Sequence, residues 1–208
     1  MTPALTPAQT AQALPYPALA IEIEALLRDP GVVVPPRTDG DSSLRANLRR
    51  AKALLAEAGW TVQGGVLKNA QGQAMELEYL DSNEAGARVV TPWIRNLEKL
   101  GITLRYRAVD FALFQQRIQT FDFDLMSIAF QGTHNPGQEY ADMFGSEAAK
   151  TPDSGNYAGV NSPAVDDLIA RMVGAKTKAE LLPACRALER VITHSHYLIP
   201  QWTAGTHR

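Results

Sequence analysis

Two short alternating segments with a longer segment between them constrain the fold more than any other feature of the sequence. Residues 75–79 (MELEY) and 102–107 (ITLRYR) each alternate apolar and polar side chains. Alternation with a period of two predicts β-strands with one buried face and one solvated face. The intervening residues 84–100 predict a helix that ends at Gly101. A strand, a helix and a strand at this spacing predict a parallel pair joined by a right-handed crossover.

A third strand is predicted directly downstream. Asp110 can cap a helix over residues 111–119, and the sequence FDFDLMSIAF follows at 121–130. The second half of that run is continuously apolar, which is typical of a strand covered on both faces. The sequence therefore predicts the α/β fold class, with a βαβαβ mixed sheet flanked by helices.

The segment before this sheet predicts one helix and one hairpin. Apolar residues recur at helical spacing over residues 44–58, Ser42 or Ser43 can cap the start, and Gly59 suits the residue after the end. Glycines at 64–65 and at 72 then separate short extended runs, which indicates a small hairpin.

The last third of the chain predicts two helices. Ser162 followed by Pro163 marks the start of the first, because serine caps a helix and proline fits its first position. Residues 177–180 (TKAE) match a capping box for the second helix. Pro183 conflicts with that start, since an interior proline removes a backbone hydrogen bond, and the alternative start lies near Leu182.

The first part of the chain differs in composition from the rest. Seven prolines lie within residues 1–42, and one short helix fits among them before Asp29-Pro30. We expect residues 1–42 to form a connector and residues 43–208 to form an α/β domain. The start of the chain lacks the charged and apolar regions of a signal peptide, so an exported protein with this sequence would have lost its leader.

Composition and motifs disfavour several classes of function. The 20 basic and 22 acidic residues leave a net charge of -2, which does not favour a nucleic-acid or anionic-membrane partner. The single cysteine, Cys185, predicts a small buried side chain and no disulfide or zinc site. HEXXH, GxSxG, P-loop and GxGxxG patterns do not occur. We expect no metal and no cofactor.

Two groups of charged residues leave alternatives open. Asp122 and Asp124 lie two apart at the start of a strand, either as a carboxylate pair or as a charged strand end that faces solvent. The glutamates at 76 and 78 lie opposite the arginines at 105 and 107 on the neighbouring strand. They form either exposed cross-strand ion pairs or, through the arginines, an anchor for a ligand carboxylate.

The segment QGTHNPGQEYADMFG is the strongest candidate for a ligand site. It follows the apolar strand directly, and α/β sheets bind ligands outside the C-terminal ends of their strands. Glycine and proline can shape its backbone, so it is either a built binding loop or an ordinary surface turn. Its candidate polar contacts are Gln131, Thr133, His134, Asn135 and Gln138.

Several motifs in a fixed order resemble those of one protein family. They are LRRAKALLAEAGW, the hairpin with QGQAMELEYL, LGITLRYRAVD, FDFDLMSIAF, and the stretch QGTHNPGQEYADMFGSEAAKTPDSGNYAGVNSPAVDDLI. Together with the ending HYLIPQW, they resemble the periplasmic peptide, nickel and opine solute-binding proteins of ABC transporters, extracellular solute-binding protein family 5. The longest motif is similar to the YejA-like branch. The resemblance covers roughly residues 43–208.

This resemblance implies a lobe of the periplasmic-binding-protein type II fold, in a periplasmic protein whose two lobes close on a ligand. It implies capture of oligopeptides, without cofactor or catalysis, for an ABC permease in the inner membrane. Phe130 would be an apolar wall, the five polar side chains above would contact the ligand, and Tyr157 and Asn161 would contribute further contacts. Many relatives carry W-x-x-D after this strand, where this chain has Phe130 and Thr133, so a carboxylate for the peptide ammonium is not implied here.

Other classes of function remain open at this point. An α/β enzyme would use Asp122, Asp124 or His134. A related binding protein would take a nickel complex, a sugar or an opine. A protein-interaction module would expose a large apolar patch. We expect the complete protein to be a monomer, whereas an isolated lobe can dimerise through its exposed contact surface.

Overall fold

The structure is a computed structural model, and it describes residue 38, residues 43–130 and residues 136–201. The described residues up to Phe130 form one compact unit and those from 136 onward form another. The predicted connector over residues 1–42 lies almost entirely outside the described residues. The single lobe expected for residues 43–208 stays a prediction.

The first unit begins with helix α1, Leu44–Glu57. Ser43 caps it, because its Oγ accepts a hydrogen bond from the backbone N of Ala46 at 3.1 Å. Gly59 follows with φ +86, a left-handed conformation that glycine adopts without steric cost. The predicted helix, its cap and its terminal glycine are therefore confirmed.

The predicted hairpin is also present, with strands β1 (Thr61–Gln63) and β2 (Val66–Lys68) antiparallel. Gly64 and Gly65 have φ values of +59 and +84, so the two-residue turn requires glycine-like backbone. A Cβ on Gly101 would come within 2.6 Å of the backbone N of Leu67. The hairpin therefore packs closely on the turn that contains Gly101.

The strand-helix-strand prediction is confirmed. Strands β3 (Glu76–Asp81) and β4 (Thr103–Ala108) pair in parallel, and helix α2 (Ala87–Glu98) connects them after a short 3-10 turn at Glu84–Gly86. The buried faces of these elements form two clusters that contribute most of the unit's apolar core: Leu67, Leu100 and Ile102, and Tyr79, Val90 and Leu104. Helix α3, Phe111–Gln119, begins at the predicted cap, since Asp110 Oδ1 accepts from the backbone N of Leu113 at 3.0 Å.

The third predicted strand is reduced to one parallel bridge, between Tyr79 and Leu125. The second half of that run is not buried on both faces, because Ile128 is 42% exposed and Phe130 is 41% exposed. This part of the prediction is wrong for the described residues. The reason is that residues 43–130 provide no further strand beside the run and no layer that covers its outer face.

The second unit is helical. Helices α4 (Glu139–Phe144), α5 (Pro163–Gly174) and α6 (Lys178–His194) occur with a 3-10 turn at Ala148–Lys150. Pro163 occupies the predicted first position of α5, but Ser162 forms no side-chain capping hydrogen bond. The core lies between α5 and α6, where their apolar stripes meet Phe144 and Val160.

Helix α6 begins at the capping box and not near Leu182. Thr177 Oγ1 accepts from the backbone N of Glu180 at 3.3 Å, and Glu180 Oε2 accepts from the backbone N of Lys176 at 2.9 Å. Pro183 lies inside the helix. An interior proline costs about 3 kcal/mol, whereas each buried aliphatic side chain of α6 contributes roughly 1.5–3 kcal/mol. The stripe of Leu188, Val191 and Ile192 therefore outweighs the lost hydrogen bond.

Candidate functional site

Strands β3 and β4 end at the same edge of the sheet, because Asp81 lies opposite Ala108 in the parallel register. Leu125 continues this arrangement, since its backbone N donates to Glu78 O at 3.0 Å and its O accepts from Leu80 N at 2.8 Å. Ligand sites of α/β sheets gather at the carboxyl edge. In the unit of residues 43–130, this edge is therefore the candidate position for a ligand.

The loop that leaves β3 at this edge is held by a polar cluster. Asp81 accepts hydrogen bonds from the Tyr106 hydroxyl at 2.6 Å and from the backbone N of Asn83 at 3.0 Å. Asn83 Oδ1 in turn accepts from the backbone N of Ala85 at 2.9 Å. A Cβ on Gly86 would meet Asp81 Oδ2 at 2.2 Å, so a larger residue there would displace this carboxylate. The polar groups of this cluster bond to one another and thereby fix the start of α2.

Aromatic rings pack against the same polar cluster. Tyr79 stacks on Tyr106 with ring centroids 5.6 Å apart, and Trp93 meets Tyr79 edge-on at 6.4 Å. The hydroxyls of Tyr79 and Ser127 form a hydrogen bond with each other. Burial, followed by the hydrogen bond and charge of Asp81, raises the pKa of Tyr106 far above its usual value of 10.0. Tyr106 is therefore a hydrogen-bond donor at neutral pH.

The segment beyond Leu125 presents apolar side chains at this edge of the unit. Ser127 is tied to Tyr79, while Ile128 and Phe130 expose about two-fifths of their surfaces. An exposed phenylalanine and isoleucine so close together form an apolar surface suitable for a ligand or for another part of the longer protein. Phe130, the predicted apolar wall, follows Leu125 by five residues and is 41% exposed.

The two carboxylates considered for catalysis have structural partners. Asp122 Oδ2 accepts from Arg117 Nε at 2.8 Å, and Asp124 Oδ2 accepts from the backbone N of Glu78 at 2.7 Å. Arg117 also donates through Nη1 to Glu78 Oε1 at 2.7 Å, and only 15% of its side chain is exposed. These hydrogen bonds to Glu78 and Asp122 hold the pKa of Arg117 above its usual value, against the opposing effect of burial. The network ties α3 and the following loop to β3.

The arginines on β4 are engaged by glutamates on β3. Arg105 lies 2.9 Å from Glu76 Oε2, and Arg107 lies 3.4 Å from Glu78 Oε2. The side chains of both arginines are more than half exposed. This confirms the prediction of cross-strand ion pairs on a solvated face, each of which contributes little to stability.

Four of the predicted contact residues lie outside the described part of the chain, namely Gln131, Thr133, His134 and Asn135. Three others lie in the second unit. Gln138 is exposed at the start of α4 and makes no side-chain capping hydrogen bond. Tyr157 is half-buried, and Asn161 is exposed just before α5. Their exposure leaves their polar groups accessible to a ligand.

Sequence reasoning missed the residue that shapes this part of the second unit. Asn156 is 0% exposed and donates from Nδ2 to Gly145 O at 2.9 Å and to Val160 O at 2.8 Å. Its Oδ1 accepts from the backbone N of Val160 at 2.8 Å. Asn156 therefore closes the loop that carries Tyr157 and joins that loop to the end of α4. A turn-forming NYAG sequence was the only local signal of this role.

Neither metal binding nor a membrane span is indicated where the structure describes the chain. Residues 43–130 and 136–201 contain no group of three or more His, Cys, Asp or Glu side chains placed to hold a metal ion. Within the same residues, no helix combines the length and the apolar character that a bilayer crossing demands.

Comparison with known sequences gives a match over most of the chain. The model of the bacterial extracellular solute-binding proteins, family 5 Middle, matches residues 11–152. The probable peptide-binding protein YejA of Agrobacterium fabrum strain C58 is 39% identical over 162 residues, which are 77% of this chain and 26% of that protein. The chain thus spans about a quarter of the length of that relative.

Solved structures show the same fold at low sequence identity. The oligopeptide-binding protein AppA of Bacillus subtilis, in complex with a nonapeptide, aligns with a TM-score of 0.63 and 18% identity, covering 84% of this chain and 38% of that chain. A periplasmic oligopeptide-binding protein of Thermotoga maritima, bound to mannohexaose, aligns with a TM-score of 0.65 and 17% identity, covering 85% of this chain and 32% of that chain. The α/β fold is therefore that of the periplasmic oligopeptide-binding proteins.

Proposed function

We propose that the longer protein captures oligopeptides for an ABC importer, because this chain belongs to family 5 of the bacterial extracellular solute-binding proteins. Members of that family are periplasmic or extracellular binding proteins that work with ABC permeases. The family match, together with a relative named as a probable peptide-binding protein, is the observation that carries the proposal. We place the protein in the periplasm, as a monomer that delivers its ligand to a permease in the inner membrane.

The proposed ligand site includes the carboxyl edge of the sheet. Phe130 supplies an apolar wall, and the exposed Ile128 extends it. Hydrated polar contacts tolerate many peptide sequences, since a water-mediated hydrogen bond is nearly as favourable as a direct one. We assign those contacts to the polar side chains at Gln131, Thr133, His134, Asn135, Gln138, Tyr157 and Asn161.

Capture without turnover is part of the proposal. Asp122 is engaged by Arg117, and Asp124 accepts a hydrogen bond from the backbone of Glu78. Both carboxylates therefore have a structural task, which supports a binding protein over a hydrolase. Peptides eluted from the protein should be intact after prolonged incubation, and cleaved products that disappear on Asp122→Asn substitution would contradict the proposal.

Native mass spectrometry of the complete protein tests the identity of the ligand. We expect a distribution of adducts that releases as peptides on denaturation. A single adduct of a sugar, an opine or a nickel complex would overturn the peptide assignment. A ligand-free mass that no peptide mixture shifts would overturn capture of peptides altogether.

A matched pair of variants tests the apolar wall. Phe130→Ala should weaken peptide affinity by at least about tenfold, because burying a phenylalanine side chain contributes roughly 1.5–3 kcal/mol. Phe111→Ala is the control, since Phe111 lies in the same unit and is 64% exposed but starts α3. Isothermal titration with one peptide recovered from the protein measures both. Equal affinities for the two variants would remove Phe130 from the site.

A further inference from the structure

A groove lies along the first half of α1, in the unit of residues 43–130, and no role in ligand capture accounts for it. Its volume is about 470 Å³, and its second wall is the turn that follows α2. The apolar residues that line it are Leu44, Leu48 and Leu100. Leu100 is buried, whereas Leu44 remains partly exposed. The groove therefore offers a recessed apolar surface that is open to solvent.

Four cations line this groove. Arg45, Arg49 and Lys52 project from α1, and Lys99 stands on the opposite wall. Arg49 follows Arg45 by four residues and Lys52 follows Arg49 by three. This spacing places the three side chains on one face of the helix. All four side chains are exposed, and Lys99 Nζ donates to Asn96 Oδ1 at 2.9 Å. Their positive charges therefore flank the apolar residues that line the groove.

Among the described residues, these charges have no acidic side chain as an ion-pair partner. Within residues 43–130, the ion pairs engage Arg105, Arg107 and Arg117, and none engages a cation of the groove. Among residues 43–130, no acidic residue lines the groove. The whole chain carries a net charge of -2, so the cluster does not follow from a basic composition. Like charges at helical spacing repel each other, and an anionic partner would relieve that repulsion.

We propose that this groove docks an acidic amphipathic peptide segment of a partner protein. Such a segment would insert an apolar side chain over Leu48 and place carboxylates against the flanking cations, which is a recurring mode of peptide recognition. A lipid surface fits less well, because the chain as a whole carries a net charge of -2, which does not favour an anionic membrane.

The groove lies away from the candidate ligand edge. Leu100 precedes β4, which runs from Thr103 to Ala108, so the groove adjoins the amino end of the strand. A strand of six residues spans about 20 Å, which separates the two ends of β4 by that distance. The partner can therefore bind whether or not the carboxyl edge holds a ligand, and the proposal does not depend on the ligand being a peptide.

Fluorescence anisotropy with two synthetic fourteen-residue peptides tests the groove. The probe has leucines at helical spacing flanked by glutamates, and the reference peptide carries lysines in their place. The chain should bind the acidic probe and not the basic reference. Arg49→Gln with Lys52→Gln should weaken that binding about fivefold, since two exposed ion pairs are lost. Added salt should weaken binding to the parent chain for the same reason.

The control is Arg50→Gln with Arg88→Gln, which removes the same charge from exposed positions that do not line the groove. Circular dichroism on both double variants verifies that they remain folded. Equal loss in the two variants, or no binding of the acidic probe, would overturn the proposal. Loss of binding to phosphatidylglycerol vesicles without loss of probe binding would assign the groove to a lipid surface. A dimer that dissociates only in the groove variant would assign it to a second copy.

Discussion

Asn156→Ala should destabilise the second unit strongly, and its cost can be worked out from three hydrogen bonds. The substitution removes both side-chain contacts to Val160, so that residue's backbone N and O lose their partners among the described residues. Val160 is 0% exposed, so water cannot replace them. Gly145 O keeps a second, longer hydrogen bond from Ala149 at 3.3 Å.

The expected loss in the free energy of unfolding is about 3–5 kcal/mol. Each buried backbone group without a partner costs roughly 1–3 kcal/mol, and the small cavity adds to that sum. Urea denaturation followed by circular dichroism measures the loss. With a denaturant slope of about 2 kcal/mol per molar urea, the midpoint should fall by roughly 2 M.

Two further variants make this experiment decisive. Asn161→Ala changes the same residue type at an exposed position nearby, and it should shift stability by less than about 0.5 kcal/mol. In Asn156→Asp the aspartate side chain keeps an acceptor for Val160 N, but it cannot donate a hydrogen bond while it is ionised. The loss of stability in this variant should therefore shrink near about pH 4, where protonation of the carboxylate restores one donor. A loss below about 1 kcal/mol for Asn156→Ala with an unchanged slope would refute the assigned role of this side chain.

Three more predictions concern the groups described above. Gly86→Ala should destabilise by roughly 1–3 kcal/mol in urea titrations, because its Cβ would lie 2.2 Å from Asp81 Oδ2. Gly174→Ala, with open space around it, should be neutral or stabilise by about 0.5–1 kcal/mol, and equal effects at both positions would contradict the steric argument. Tyr106→Phe should be less stable than the parent at neutral pH. This difference in stability should narrow as the pH rises above 10.0. The raised pKa of Tyr106 stabilises the fold at a pH below the unfolded-state pKa, and this contribution is lost as the pH rises toward the folded-state pKa. A difference in stability that does not change with pH would refute this role of Tyr106. Cys185, whose thiol has a pKa raised by burial, should react with iodoacetamide at least about tenfold more slowly in the folded chain than in urea, and equal rates would place it at the surface.

The elements of the first unit could be predicted because their signals are local. The alternation of β3 and β4, the cap at Ser43 and the glycines of the hairpin turn each occupy a few consecutive residues. The same holds for the capping box of α6. There Thr177 Oγ1 accepts a hydrogen bond from the backbone N of Glu180, and the Glu180 side chain accepts one from the backbone N of Lys176. Pro183 misled the alternative reading, since one lost hydrogen bond is a smaller effect than the burial of a whole helix face.

The polar anchors of both units could not be predicted in the same way. Asn156 binds Gly145, eleven residues earlier, and Arg117 binds Glu78, thirty-nine residues earlier. Such partners become neighbours only after the chain has folded. An asparagine in a turn-forming sequence reads as a surface residue, although here its complete burial is possible because all three hydrogen bonds are formed.

The apolar run that ends at Phe130 carries information about what lies beyond this chain. A continuously apolar strand was expected to be buried, yet Ile128 and Phe130 expose about two-fifths of their surfaces. An exposed apolar edge of this kind is suited to contact with a bound ligand or with another part of the polypeptide. Because the chain spans 26% of the length of its Agrobacterium relative, a ligand and a further segment of a longer polypeptide are both candidate occupants. The affinity of the Phe130→Ala variant separates them: a ligand contact lowers peptide affinity with stability intact, whereas a covering segment lowers the stability of the complete protein.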